Sequence, residues 1–143
     1  MKKAVYILVS LILALSLTSC TASGPLTIES GFSEKLVTLL SEQYELNIPE
    51  SAEFVSGYFE RAFRDPSVVI YFTVPENEIE TLFINNWAKV RSGHTGLFHE
   101  LDFEPEGSYL YEKELYTVLL CSEAENGTVK CAFTGRHPEK EFK

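Results

Sequence analysis

The chain has 143 residues, 45% of them hydrophobic and 23% charged, with 12 basic against 21 acidic side chains and a net charge of −9. That length fits one domain around one core. So acidic a chain repels phosphate backbones and anionic headgroups, which argues against nucleic-acid binding and against a polybasic membrane contact.

Lys2 and Lys3 form a basic start, Ala4 to Leu17 is unbroken apolar and small sequence, and Leu17-Thr18-Ser19-Cys20 follows. A spanning helix needs about 20 apolar residues, so this shorter run reads as an export signal. Leu-Thr-Ser-Cys resembles the lipobox of bacterial lipoproteins. The resemblance implies cleavage before Cys20, acylation of its thiol by palmitate-like chains, and a membrane-anchored protein of the cell envelope facing away from the cytoplasm. An ordinary signal peptide ending near Ser19 or Ala22 is the alternative. The lipobox reading divides the chain into a signal peptide (1–19), a lipidated Cys20 with a flexible tether (20–30), one domain (31–136) and a charged end (137–143). Loss of Lys2 and Lys3 makes the mature chain two charges more negative still.

After the tether, Phe32, Leu36, Leu39, Leu40 and Tyr44 recur at helical spacing. Ser33 is placed to cap, with Phe32 and Val37 as a staple, and the pattern predicts a helix over 34–45 ended by Asn47 and Pro49. The run 68–74 is β-branched and aromatic and reads as a buried strand. Before it, Asp65-Pro66 signals a turn. Residues 53–63 fit a partner strand better than a helix, although Phe54, Tyr58, Ala62 and Phe63 also match a helical stripe. Pro75 is expected to open a second helix with Glu76 and Glu78 in its first turn and Ile79, Leu82, Phe83 and Trp87 on its apolar face. Residues 89–107, interrupted by Gly93, Gly96, Pro105 and Gly107, read as an irregular loop. Residues 109–121 then read as one long strand, and 129–133 as its hairpin partner.

The fold expected from this order is α+β: an antiparallel sheet of about four or more strands with two helices packed on one face. The stretch Ile48-Pro49-Glu50-Ser51-Ala52 before a strand pair also resembles a group of small bacterial lipoproteins, a likeness that implies no activity.

Cys121 and Cys131 remain as an even pair in an exported chain, where a disulfide is the expectation. A three-residue loop, Glu125-Asn126-Gly127 with Gly127 left-handed, would place the two cysteines directly opposite each other, with Cα atoms about 4.5 Å apart. A two-residue Asn-Gly loop would instead place Cys121 opposite Ala132. Two buried free thiols are the alternative to the bridge.

Candidate chemistry concentrates in His94, His99, Glu100, Asp102 and Glu104. Imidazole and carboxylate together can ligate zinc or share acid and base work. The five-residue spacing of the histidines matches neither a helical ligand pair nor strand alternation. Leu97, Phe98, Leu101 and Phe103 interleave with them, so a loop that tucks apolar side chains beneath an acidic rim explains the pattern equally. Tyr109, Tyr111 and Tyr116 could offer aromatic faces to a ligand or build core. Arg61, Arg64 and Arg91 could meet an anion, but local carboxylates are their simpler partners.

These features predict a non-catalytic binding or interaction module held at the envelope by its lipid, with weak ligand candidates His94, His99, Glu100, Asp102, Tyr109 and Tyr111. The expected partner is an envelope protein or a cell-wall ligand, with no cofactor, no metal and no nucleic acid. The alternative is a small envelope enzyme or metal-binding protein built on His94, His99, Glu100 and Asp102, and a third reading is an accessory subunit of an envelope complex.

Overall fold

Seven antiparallel strands form a single sheet in the computed structural model, which describes residues 24–60, 66–91, 94–114 and 116–136. The lipobox with Cys20, Arg61 and Arg64, Leu115 and the charged end lie outside those residues. The strands are β1 (Leu26–Thr27), β2 (Glu53–Glu60), β3 (Ser67–Pro75), β4 (Trp87–Val90), β5 (Pro105–Tyr111), β6 (Val118–Ser122) and β7 (Thr128–Arg136). Their order across the sheet is β1-β2-β3-β7-β6-β5-β4. Helix α1 (Glu34–Tyr44) and two 3-10 segments, Glu76–Leu82 and Thr95–Leu97, complete the described elements.

Alternation assigns each strand's side chains to two faces. Val68, Ile70, Phe72 and Val74 of β3 join Val129, Cys131 and Phe133 of β7, Leu119 of β6 and Leu36, Leu39, Leu40 and Tyr44 of α1 in the main core. The opposite face holds a smaller core of Val69, Val118, Leu120, Ala132 and Phe98, with Leu97, Leu101 and Phe103 packed on it. The segment after β4 therefore does tuck its apolar side chains under the sheet. Because it covers the second face, β3 and β6 are apolar on both faces although the sheet is antiparallel.

Helix α1 starts where expected: the Ser33 side chain accepts a hydrogen bond from the Leu36 N–H, meeting one of the donors a helix start leaves open. It stops before Asn47 and Pro49, because Glu45 turns left-handed (φ 52°) and its N–H bonds back to the Leu40 carbonyl. The Glu45 carboxylate takes hydrogen bonds from Lys113 and from Asn86 (2.6 Å). Those two donors, Lys113 foremost, hold its pKa below the ordinary carboxylate value.

Five expectations are corrected. Pro75 ends β3 and opens no α-helix; the following turn is the 3-10 segment, and Trp87 belongs to β4. The reason is competition from a distant segment: Asn47 N–H takes the Leu82 carbonyl, Ile84 N–H takes that of Glu45, and Leu46 bridges to Phe83. The 89–107 stretch contains β4 residues at its start and β5 residues at its end. The single strand over 109–121 is two strands, β5 and β6, joined by a turn in which Glu114 N–H bonds to Tyr111 and Thr117 N–H to Glu114. Finally, Glu125 and Thr128 exchange both backbone hydrogen bonds around Asn126 (φ 54°) and Gly127 (φ 77°). That is a two-residue type I′ turn, the form whose twist suits a hairpin. One extra residue on the β6 side then shifts the register, so Cys121 still lies opposite Cys131. The sheet also begins earlier than residue 31, since β1 pairs Leu26 with Phe59 and Thr27 with Tyr58.

Candidate functional site

On the second face, where β2, β3 and β7 reach the same end of the sheet, the pairing sets Glu60 opposite Ser67 and Ser67 opposite Arg136. Three polar side chains are thereby aligned on three adjacent strands. Ser67 Oγ donates to Glu60 Oε2 at 3.3 Å. Together with Leu97, Tyr116 and Thr134 they line an open cleft of about 260 Å³. Its floor is the buried Thr134, and its walls are apolar at Leu97 and aromatic at Tyr116.

Tyr116 is the unusual member. It is 69% exposed and its backbone is left-handed (φ 73°). A bulky side chain rarely adopts that conformation, and the strain is of order 1 kcal/mol or more. The turn between β5 and β6 holds it there, because Tyr111 N–H bonds the carbonyl of the next residue, Thr117. The carboxyl of Glu114 in the same turn is raised by burial, an effect that Arg136 offsets.

The residues singled out in the sequence do not form one site. His94 places Nδ1 3.5 Å from the hydroxyl of Ser108, a buried residue of β5. His99 turns instead to Glu60, with Nε2 3.5 Å from Oε1, at the margin of the cleft. Asp102 pairs with Lys130 at 2.9 Å, and Glu100 is exposed. Tyr109 and Tyr111 project from the opposite face. The Tyr109 ring lies 4.4 Å from Phe83, and Tyr111 is buried against Trp87 at 5.3 Å. Among the described residues, no three of His, Cys, Asp or Glu are grouped to hold a metal ion.

Behind the cleft, Tyr58 and Tyr71 stand together on the second face. Burial, then the neighbouring Tyr71 and Glu60, push the Tyr58 hydroxyl up to about 12. Burial also raises Tyr71, whose enclosed hydroxyl makes no well-formed hydrogen bond. The sequence reading missed Glu60, Ser67, Thr134 and Arg136. Arg136 lies beyond the strand expected over 129–133, yet the apolar alternation of β7 runs on through Thr134 and Gly135 to reach it. Glu60 was not separable from the other acidic residues without its strand register. Comparison of the chain with family models, curated proteins and solved structures finds no match in any of the three.

Proposed function

We propose that this protein is a lipid-anchored envelope module that binds its ligand without catalysis, at the cleft on the second sheet face. The observation that carries the reading is the register-matched row of Glu60, Ser67 and Arg136 beside the strained, exposed Tyr116. A guanidinium, a carboxylate and an aromatic face together suit a small ligand or chain end that bears both charges on a partly apolar body, as cell-wall peptides and protein termini do. In this reading α1 and the Glu76–Leu82 segment both cover the first face, and recognition uses the end of the second face beside the segment that covers the rest of it. Acylated Cys20 would hold the module at the membrane. Leu26 enters the sheet six residues later, so the domain stays within roughly 20 Å of the lipid at about 3.5 Å per residue. The same reading includes a Cys121–Cys131 bridge formed after export.

The test is a titration of the full-length protein in detergent with soluble cell-wall peptides carrying free amino and carboxyl groups. Arg136→Ala and Tyr116→Ala are expected each to weaken saturable binding about tenfold, equivalent to roughly 1.4 kcal/mol. An equal response from the native chain and both variants, or none from any, overturns the assignment.

A further inference from the structure

On the first sheet face Cys121 and Cys131 face each other across β6 and β7, with sulfurs 3.7 Å apart and both thiols free. They are not equivalent. Both are buried, Cys131 at 0% exposure and Cys121 at 4%, but only Cys121 lines a cleft, of about 240 Å³, between the Glu76–Leu82 segment and β5. Its neighbour on β5 is Gly107, which has no side chain of its own, and the Tyr109 ring lies alongside. Three carboxylates, Glu76, Glu80 and Glu106, line this cleft against one ammonium, Lys89, whose Nζ sits 5.9 Å from the Tyr109 ring centre.

We infer that Cys121 is the sulfur through which this dithiol is oxidised, and that the acidic cleft selects cationic or neutral disulfides over anionic ones as its oxidant. This rests on the reading that the pair closes to a bridge, and adds its route and its selectivity. The Cys121 thiolate attacks one sulfur of a disulfide R–S–S–R, forming a mixed disulfide and expelling RS⁻. The Cys131 thiolate then attacks the Cys121 sulfur and expels the second RS⁻. Two electrons pass from the protein thiols to the reagent, and the two thiol protons end on the two RSH products. Direct first attack by Cys131 is disfavoured twice over. Contact with Cys121 and burial both hold its proton on, and it has no exposed surface and lines no part of the cleft. The selectivity is electrostatic: a cleft lined mainly by one sign of charge concentrates ligands of the opposite sign.

The reagents are cystamine, a dication, and dithiodiglycolate, a dianion, applied to the reduced full-length protein in detergent at low salt. Peptide mapping by mass spectrometry locates each adduct. In Cys131→Ser, Cys121 is expected to accumulate the mixed disulfide, and in Cys121→Ser, Cys131 is expected to react at least about a hundredfold more slowly. Relative to the urea-unfolded chain, cystamine should gain on dithiodiglycolate by about tenfold or more, within the range that focused fields produce. Glu76→Gln, Glu80→Gln and Glu106→Gln together, or high salt, should remove that gain. Equal reactivity of the two single variants overturns the route, and an unchanged reagent ratio overturns the selectivity. Mixed disulfides that never close to the Cys121–Cys131 bridge in the native chain overturn the bridge itself, and that failure is distinguishable from the other two.

Discussion

Gly135 shows how one residue can carry the fit between helix and sheet. A Cβ there would stand 2.7 Å from the Tyr44 ring and 2.8 Å from that of Phe133, distances at which something must move. Both rings are fully buried, and the Tyr44 hydroxyl bonds the Arg136 carbonyl next door. Gly135→Ala is therefore expected to destabilise the protein by about 2–3 kcal/mol as overpacking, read as a lower urea midpoint at unchanged slope. Tyr44→Phe keeps the ring and loses only the hydrogen bond, so its cost should be smaller, about 1 kcal/mol. Nothing local in the sequence marks Gly135 as critical, because its constraint comes from a helix 91 residues away. Ser33 is the opposite case: its role was legible because a cap acts within its own turn. The opposition of Cys121 and Cys131 was legible too, although the turn that produces it has two residues with a shifted register rather than the three expected.

At the scale of elements, local chemistry governs both ends of the chain's best-defined pieces. Ser33→Ala removes the side-chain acceptor from the first turn of α1 and should cost about 1 kcal/mol. Gly127→Ala places a Cβ in a left-handed turn position and should cost a similar amount, about 1 kcal/mol. Chemical denaturation checks both, and the two losses should add in the double variant because the sites share no partner. Where elements were misread, a nonlocal partner had intervened. The run from Glu76 to Trp87 has the apolar spacing of a helix, but Leu46 and Asn47 capture its end as if it were a strand. The stretch from Tyr109 to Cys121 has strand composition on both sides of Glu112-Lys113-Glu114, and the chain turns at those residues because β5 and β6 pair with each other. The candidate site suffered in the same way: His94, His99 and Asp102 are close in sequence, yet their partners are Ser108, Glu60 and Lys130 on three different strands.

For the molecule as a whole, the tyrosines predict its response to alkali. Burial raises Tyr58, Tyr71, Tyr109 and Tyr111 above the ordinary phenol value of 10.0, Tyr58 to about 12. The folded state thus holds these protons more tightly than the unfolded chain. Their contribution to stability is complete below pH 10 and is lost as pH rises from there through about 12. Phenolate absorbance should show a late-titrating class of tyrosines, and denaturant midpoints should fall over the same interval, less so in Tyr58→Phe. If the lipobox reading holds, Cys20→Ala should move the protein from the membrane pellet to the soluble fraction without altering its urea midpoint, since Cys20 lies before the first strand. Acidity, helix α1, the central strand β3 and the facing cysteines were all readable in the sequence, because each depends on composition, spacing or a contact within a few residues. Only the tertiary structure decided that β7 lies between β3 and β6, that the His94–Glu104 segment covers the second face, and that Glu60, Ser67 and Arg136 share one cleft. Those arrangements rest on hydrogen bonds between strands distant in sequence, and a sheet's pairing order leaves no periodic trace in any one strand.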